Sequence, residues 1–435
     1  KGAFMPTRRE FLIKSVAGAL IVSMPRIVFA NTNNKAINAT AITQVFGDGV
    51  RLIAIAVEFE KPINKEELST IEFSVKNYHI NKTFVSQSTA LVEAKSGKYV
   101  ILELEHSKPQ NEWQETITDP TIQKAVPKQG QGKPTWVAGE KLNQTIKYKD
   151  ASAVVVTQNT TLGTNAVSNL VVDSFRQDEY KDKENGKILK YNFFIPEEQN
   201  KPLPLVLFMH DAGATSTQVT TTLFQGLGAV IWAEPEEQMK RPCYVLAPQY
   251  NEIIADDDWR TSTLLDTTIN LVQYLVKEYK IDPERIYVTG QSGGCMLAIA
   301  MNIKYPDFFA ASYLVAGKWD AEQVAPIAKN KLWFMASEDD SGAFPSFNAI
   351  TERLEQFGGK VSRAAWNGQW EPEQYRFAAD TLFEEQTNIR YTAFIKDSVF
   401  DEYSSREGAS GHRNTWRIAY SIEPVREWLF NQRKQ

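Results

Sequence analysis

The chain has 435 residues, 43% of them hydrophobic and 23% charged, an ordinary globular composition with material for two cores. A formal net charge of −5, with no basic stripe interleaved with aromatics, argues against nucleic acid as a partner. There is no metal-ligand spacing, no phosphate-cradling G-x-x-x-x-G-K and no dinucleotide glycine fingerprint, so neither metal nor cofactor is expected.

In chain order, residues 1–30 read as a twin-arginine-type signal peptide. Thr7-Arg8-Arg9-Glu10-Phe11-Leu12-Ile13-Lys14 carries the paired arginines, Val16 to Met24 is apolar, and Val28-Phe29-Ala30 supplies a small-residue cleavage site. Lys1 to Phe4 are expected to be an expression remnant ahead of an initiator at Met5. The apolar run falls short of the roughly 20 residues that span a bilayer, so no stable membrane anchor should remain after cleavage. Export to the periplasm or beyond is the expectation.

Residues 35–156 read as all-β. Ile53, Ile55, Val57 and Phe59 alternate onto one face, as do Val100, Leu102 and Leu104, and Gly47-Asp48-Gly49 and Ser96-Gly97 mark turns. Several short strands over this length predict a small immunoglobulin-like sandwich. Asn111 to Trp136, polar and long, predicts a protruding insert or a mobile loop. Thr157 to Asn169, rich in Thr and Asn, predicts a linker. His79 and His106 fall in this region as surface or turn residues.

From residue 170 to 435 strands alternate with helices, which predicts a mostly parallel, doubly wound sheet covered on both faces. Pro204-Leu205-Val206-Leu207-Phe208-Met209 is an apolar run that ends in the turn His210-Asp211-Ala212-Gly213. Tyr244 to Pro248 and Tyr313 to Ala316 supply further strands, and Leu265, Ile269, Val272, Val276 and Tyr279 form one covering helix stripe. Cys243 and Cys295 lie in apolar segments and read as buried thiols, with a single bridge as the alternative.

The densest signal is Gly290-Gln291-Ser292-Gly293-Gly294, between the strand-like Arg285 to Thr289 and the helix-forming Cys295 to Met301. Strand, G-x-S-x-G and helix make the setting of a nucleophile elbow. A serine there needs a base and an orienting acid, which follow it in the order acid, histidine. Of the four histidines only His412 follows Ser292. For the acid, the turn Glu338-Asp339-Asp340 after the strand Lys331 to Ala336 offers three carboxylates; Asp340 is favoured, Asp339 is next, and Asp397 and Asp401 are outside candidates. Backbone N–H groups of Gly293 and Ala212 are the expected oxyanion donors. Trp259 and Trp319 are candidates for a substrate pocket.

With these parts in this order, residues 171–435 resemble α/β-hydrolases. The segments Ile281 to Ser292, Tyr305-Pro306-Asp307-Phe308-Phe309-Ala310-Ala311 and His412 through Phe430 look like secreted esterases of the feruloyl-esterase and polyhydroxybutyrate-depolymerase type, which overlap with predicted peptidases. The resemblance implies a Ser292-Asp340-His412 triad acting on a small or polymer-linked ester, without specifying the substrate. It departs from that pattern at Asp211, where a glycine usually follows the histidine, and at Cys295, where a third glycine is common. A peptidase with the same triad, and a non-catalytic binding protein on this scaffold, are the alternative readings. Oligomeric state is not fixed by the sequence.

Overall fold

The computed structural model describes residues 34–105, 111–122, 136–402 and 404–434; the segment read as a signal peptide and His106 lie outside them. Ten strands come first: β1 (Ala36–Phe46), β2 (Gly49–Asn64), β3 (Phe73–Val75), β4 (Ile80–Ser86), β5 (Ser96–Leu104), β6 (Gln114–Thr118), β7 (Gln144–Tyr148), β8 (Val154–Thr157), β9 (Thr161–Gly163) and β10 (Ala166–Asn169). They form a five-stranded sheet in the order β10-β1-β2-β5-β4, a three-stranded sheet β3-β8-β9, and the pair β6-β7. Val57, Val100 and Leu102 from the larger sheet share a buried cluster with Val75 and Val155 from the smaller one, as in a sandwich.

Three local expectations change. The segment 157–169 is no linker: it contributes β9 and β10, and β10 pairs in parallel with β1 from Thr40↔Ala166 to Thr43↔Asn169. Its polar side chains suit an edge strand, whose contribution is backbone pairing rather than an apolar face. The chain leaves this domain at Val171, a β-branched residue held at φ 66°. The face predicted for β2 breaks at Ile53. The β1–β2 register skips that residue between Ile42↔Ala54 and Thr43↔Leu52, so Ile53 joins a second cluster with Ala54 and Ala56 while Leu52, Ile55, Val57 and Phe59 stay in the main core. The predicted insert begins with a short helical turn and then β6, which pairs with β7; residues 123–135 lie outside the description.

The second part is a nine-stranded sheet: β11 (Arg176–Lys181), β12 (Ile188–Phe194), β13 (Leu203–Met209), β14 (Tyr244–Gln249), β15 (Ile281–Gln291), β16 (Ala311–Val315), β17 (Leu332–Ser337), β18 (Val361–Trp366) and β19 (Ile389–Phe394). Its order is β11-β12-β14-β13-β15-β16-β17-β19-β18; β12 runs antiparallel to both its neighbours, β11 and β14, and every other pair is parallel. All residues of β13, β16, β17 and β19 are buried, which is why β13, β16 and β17 read as near-continuous apolar runs rather than alternating ones. The helix Leu264–Glu278 turns Leu265, Ile269 and Val272 inward, and Gly293–Lys304 is buried along most of its length. Because the inner strands are parallel, the loops after β13, β15 and β17 emerge at one edge. Among the described residues no helix is long and apolar enough to cross a membrane.

Candidate active site

Ser292 stands between the end of β15 and the helix Gly293–Lys304, with φ 51° and ψ −118°, a conformation side chains rarely adopt. The turn is sharp because nothing stands at the flanking glycines. A methyl on Gly290 would lie 2.6 Å from the Gly294 carbonyl, and one on Gly294 would lie 2.0 Å from the Met209 oxygen. This close packing of strand, turn and helix pushes the Ser292 hydroxyl away from the sheet edge.

His412 lies in the first turn of the helix Ser410–Ala419, and its Nε2 is 2.8 Å from Ser292 Oγ. Its Nδ1 is 2.5 Å from Asp340 Oδ2, so the imidazole bridges hydroxyl and carboxylate. Trp416, one turn further on, meets the imidazole edge-on at 4.9 Å between ring centres and limits its rotation. The helix can approach the acid loop only because residue 411 is glycine; a methyl there would fall 2.5 Å from the Asp339 oxygen.

Asp340 is almost wholly buried. Oδ1 accepts the N–H groups of Gly342 (3.0 Å) and Ala343 (2.9 Å), leaving Oδ2 to the imidazole. Burial pushes its pKa up, but the bond and charge of His412 and the two N–H donors outweigh that, and the carboxyl titrates below its ordinary value. The competing carboxylates have other partners. Asp339 accepts the Asp397 N–H at 2.8 Å, Glu338 accepts the Lys396 N–H at 2.8 Å, Asp397 pairs with Arg406, and Asp401 pairs with Arg417.

Ala212 and Gly293, the two expected backbone donors, lie close together on the wall of the cleft that holds Ser292. Each opens a helical turn, so its N–H has no partner within that turn. A methyl on Gly293 would lie 3.4 Å from the Ala212 nitrogen. The unusual Asp211 is turned to other work: Oδ1 accepts the Gly213 N–H at 2.9 Å and Oδ2 accepts Gln291 Nε2 at 3.0 Å. Its carboxylate therefore ties the oxyanion loop to the elbow. His210, fully buried, donates Nδ1–H to the Asp211 carbonyl at 2.7 Å and accepts the Tyr250 N–H on Nε2 at 3.0 Å. Burial lowers its pKa, in keeping with a neutral bracing ring.

The cleft over Ser292 has a volume of about 380 Å³. Trp259 and Trp319 are not among its lining residues. They pack on each other at 5.7 Å, Trp319 is buried, and their neighbours Asp257 and Lys318 line the cleft instead, paired at 2.8 Å. The tryptophan on the cleft wall is Trp136, from the segment leading into β7. That segment is anchored by Asp256, a buried carboxylate that accepts the Ala138 N–H at 2.9 Å and also binds the N–H groups of Asp258 and Arg260.

Comparison with known proteins places these features in context. Residues 38–169 match a model described as an esterase Ig-like N-terminal domain, and residues 249–349 match the prolyl oligopeptidase family. A solved thermostable esterase superposes with a TM-score of 0.69 over 91% of this chain and 99% of its own, at 23% identity. The fold is that of an α/β-hydrolase with an esterase-type immunoglobulin-like domain in front. Curated relatives of this α/β-hydrolase include an acetylxylan esterase of Coprinopsis cinerea, 30% identical over 101 residues that make up 23% of this chain and 24% of that one. Feruloyl esterase B of Talaromyces funiculosus is 21% identical over 201 residues, 40% of this chain and 54% of that one. The chain thus spans between a quarter and about half of those two relatives.

Cys243 and Cys295 are both free and buried, and burial raises both thiols above their ordinary pKa. Cys295, in the helix that follows Ser292, packs directly on Gly317, which leaves room for its side chain; a methyl on Gly317 would sit 2.4 Å from Cys295 Sγ.

Proposed function

We propose that this chain is a serine carboxylesterase in which Ser292 is the nucleophile, His412 the base and Asp340 the orienting acid. The observation that carries the reading is the continuous relay from Ser292 Oγ through both nitrogens of His412 to a buried Asp340. His412 takes the serine proton through Nε2 as Oγ attacks the ester carbonyl carbon. The carbonyl oxygen becomes an oxyanion between the N–H groups of Gly293 and Ala212. Collapse expels the alcohol, which takes the proton from His412 and leaves an acyl group on Ser292. Water then repeats the sequence, giving the acid and free serine. Throughout, Asp340 holds the ring with Nε2 toward the serine and stabilises the imidazolium.

The substrate class we favour is an ester borne on a polysaccharide, acetyl or feruloyl. The partial likeness to acetylxylan and feruloyl esterases supports it, as does a cleft open enough to admit a group attached to a chain. Action outside the cytoplasm fits such a substrate and the arginine-paired leader.

A peptidase reading draws on the prolyl oligopeptidase match, but residues 249–349 hold the elbow and acid loop, which both chemistries need. Hydrolysis of p-nitrophenyl acetate, acetylated xylan, methyl ferulate and a proline-containing peptide, measured side by side for wild type and Ser292→Ala, tests the proposal. The expected result is ester turnover that disappears in the variant. Peptide turnover without ester turnover would overturn it.

A further inference from the structure

At the end of the sheet opposite the triad, the starts of β17, β19 and β18 lie in register, with Leu332 beside Ile389 and Ile389 beside Val361. A cavity of about 500 Å³ opens there. Its lining includes Lys329, Lys331, Lys360 and Arg390, and no carboxylate among the described residues. Four cations facing one cavity, in a chain whose net charge is −5, is a local reversal of sign.

Arg390 makes this more than a solvated basic patch. It is only 7% exposed and makes no ion pair among the described residues. Nη1 donates to the Thr387 carbonyl at 3.3 Å, and Nε is buried with no partner among the described residues. Trp333, Phe383 and Trp428 surround the guanidinium at 5.6 to 5.8 Å from their ring centres, which holds it in place without using its donors. A buried guanidinium with free N–H groups is costly unless something accepts from it. Burial lowers its pKa and Glu385 acts in the opposite sense, the one carboxylate felt there. The lysines are partly committed: Lys329 Nζ donates to the Gly358 carbonyl at 2.6 Å and Lys331 Nζ to the Arg433 carbonyl at 2.8 Å. Each ammonium keeps two further N–H donors.

We propose that this cavity binds an oxyanion, a phosphate or carboxylate group, with Arg390 as its floor and Lys329, Lys331 and Lys360 around its mouth. The planar fork of an arginine suits two oxygens of such a group, and the lysines add charge without fixing geometry. The site is independent of the esterase reading, because it shares no residue with the triad or its cleft. On a polysaccharide the matching group would be a uronate carboxylate; in solution it would be inorganic phosphate.

The test uses the full chain in sodium phosphate, sodium glucuronate and sodium chloride at matched ionic strength, followed by thermal denaturation and calorimetry. Expected is a saturable rise in Tm with phosphate or glucuronate beyond the chloride control, the responding salt naming the source. Lys329→Gln combined with Lys360→Gln, where glutamine can still donate to the Gly358 carbonyl, should weaken binding about tenfold. Arg390→Lys, which keeps the charge but loses the fork, should abolish saturation; should that variant fail to fold, the lysine pair decides alone. Hydrolysis of p-nitrophenyl acetate should be unchanged in the lysine variant. No oxyanion effect beyond chloride, or equal affinity in wild type and the lysine variant, would overturn the proposal.

Discussion

Ser292 and His412 are 120 residues apart in the chain and 2.8 Å apart in space, and the proposed chemistry rests on that approach. Replacing Ser292 with Ala should lower kcat for p-nitrophenyl acetate by about 10⁴-fold or more, with the urea midpoint little changed, since alanine keeps the Cβ and the same backbone conformation and loses only the hydroxyl. A variant with full activity would remove the serine from the mechanism. Asp340→Asn should cost about 10⁴-fold in kcat, because an amide favours the wrong histidine tautomer. The same residue makes a prediction about stability. Its pKa is lowered on folding, so the unfolded chain binds more protons in the acid range. The stabilisation from Asp340 is therefore complete above the ordinary carboxylate pKa of about 3.9 and is lost as pH falls through the lower folded value. Urea midpoints of wild type and Asp340→Asn, measured from pH 7 downward, should converge below about pH 4. A constant gap would show that the carboxylate gains nothing from its partners. The G-x-S-x-G elbow selected Ser292 and chain order selected His412, whereas the three adjacent carboxylates allowed Asp340 only to be favoured over Asp339. Only coordinates distinguish Asp340, turned to the imidazole, from Asp339, turned to a backbone N–H.

Between strand and helix the constraint is steric. At Gly294 an added methyl would meet backbone at 2.0 Å, where no flexible side chain can move aside. Gly294→Ala should destabilise by more than about 2 kcal/mol in urea unfolding and disturb the oxyanion loop, because the atom struck belongs to the end of β13. An alanine variant of native stability would contradict the close approach. The elbow could be read from sequence because its requirements are local: a β-branched strand, two glycines around a serine, and a helix-forming run. The parallel strands β13 to β17 were legible for the same reason, as largely apolar segments, whereas β18 (VSRAAW) and β19 (IRYTAF), each interrupted by an arginine, were not. What escaped was non-local. Trp136 precedes a strand of the first domain, and nothing around it points to a cleft built by loops more than 100 residues away. Likewise β10 looked like a linker because its role is to pair with β1, which composition does not encode. The bulge at Ile53 follows from pairing register and is equally invisible to a pattern of alternation.

Across the whole molecule the two domains are joined closely. Gly139 donates its N–H to the Ile253 carbonyl at 2.8 Å, and Ile253 donates to Glu140 at 2.9 Å. Gln218 bonds both the N–H and the carbonyl of Tyr148, and the Tyr148 ring meets Phe224 at 5.4 Å. The turn at Gly47 lies so close to the His412 helix that a methyl there would be 2.3 Å from the Arg417 oxygen. The first domain thus contacts the cleft, the oxyanion side and the histidine helix. Trp136→Ala should raise KM for a bulky aryl ester about tenfold while leaving kcat/KM on p-nitrophenyl acetate within about twofold. Equal effects on both esters would mean that Trp136 shapes the fold and not the pocket.

The relay itself is tested most directly by intact-mass spectrometry after exposure of the native protein to a fluorophosphonate, followed by peptide mapping. A positioned, deprotonatable Ser292 predicts one phosphonyl adduct, on the peptide containing Ser292, and none in Ser292→Ala or His412→Ala. An unmodified wild type, or an adduct that persists in the Ser292 variant, would contradict the account.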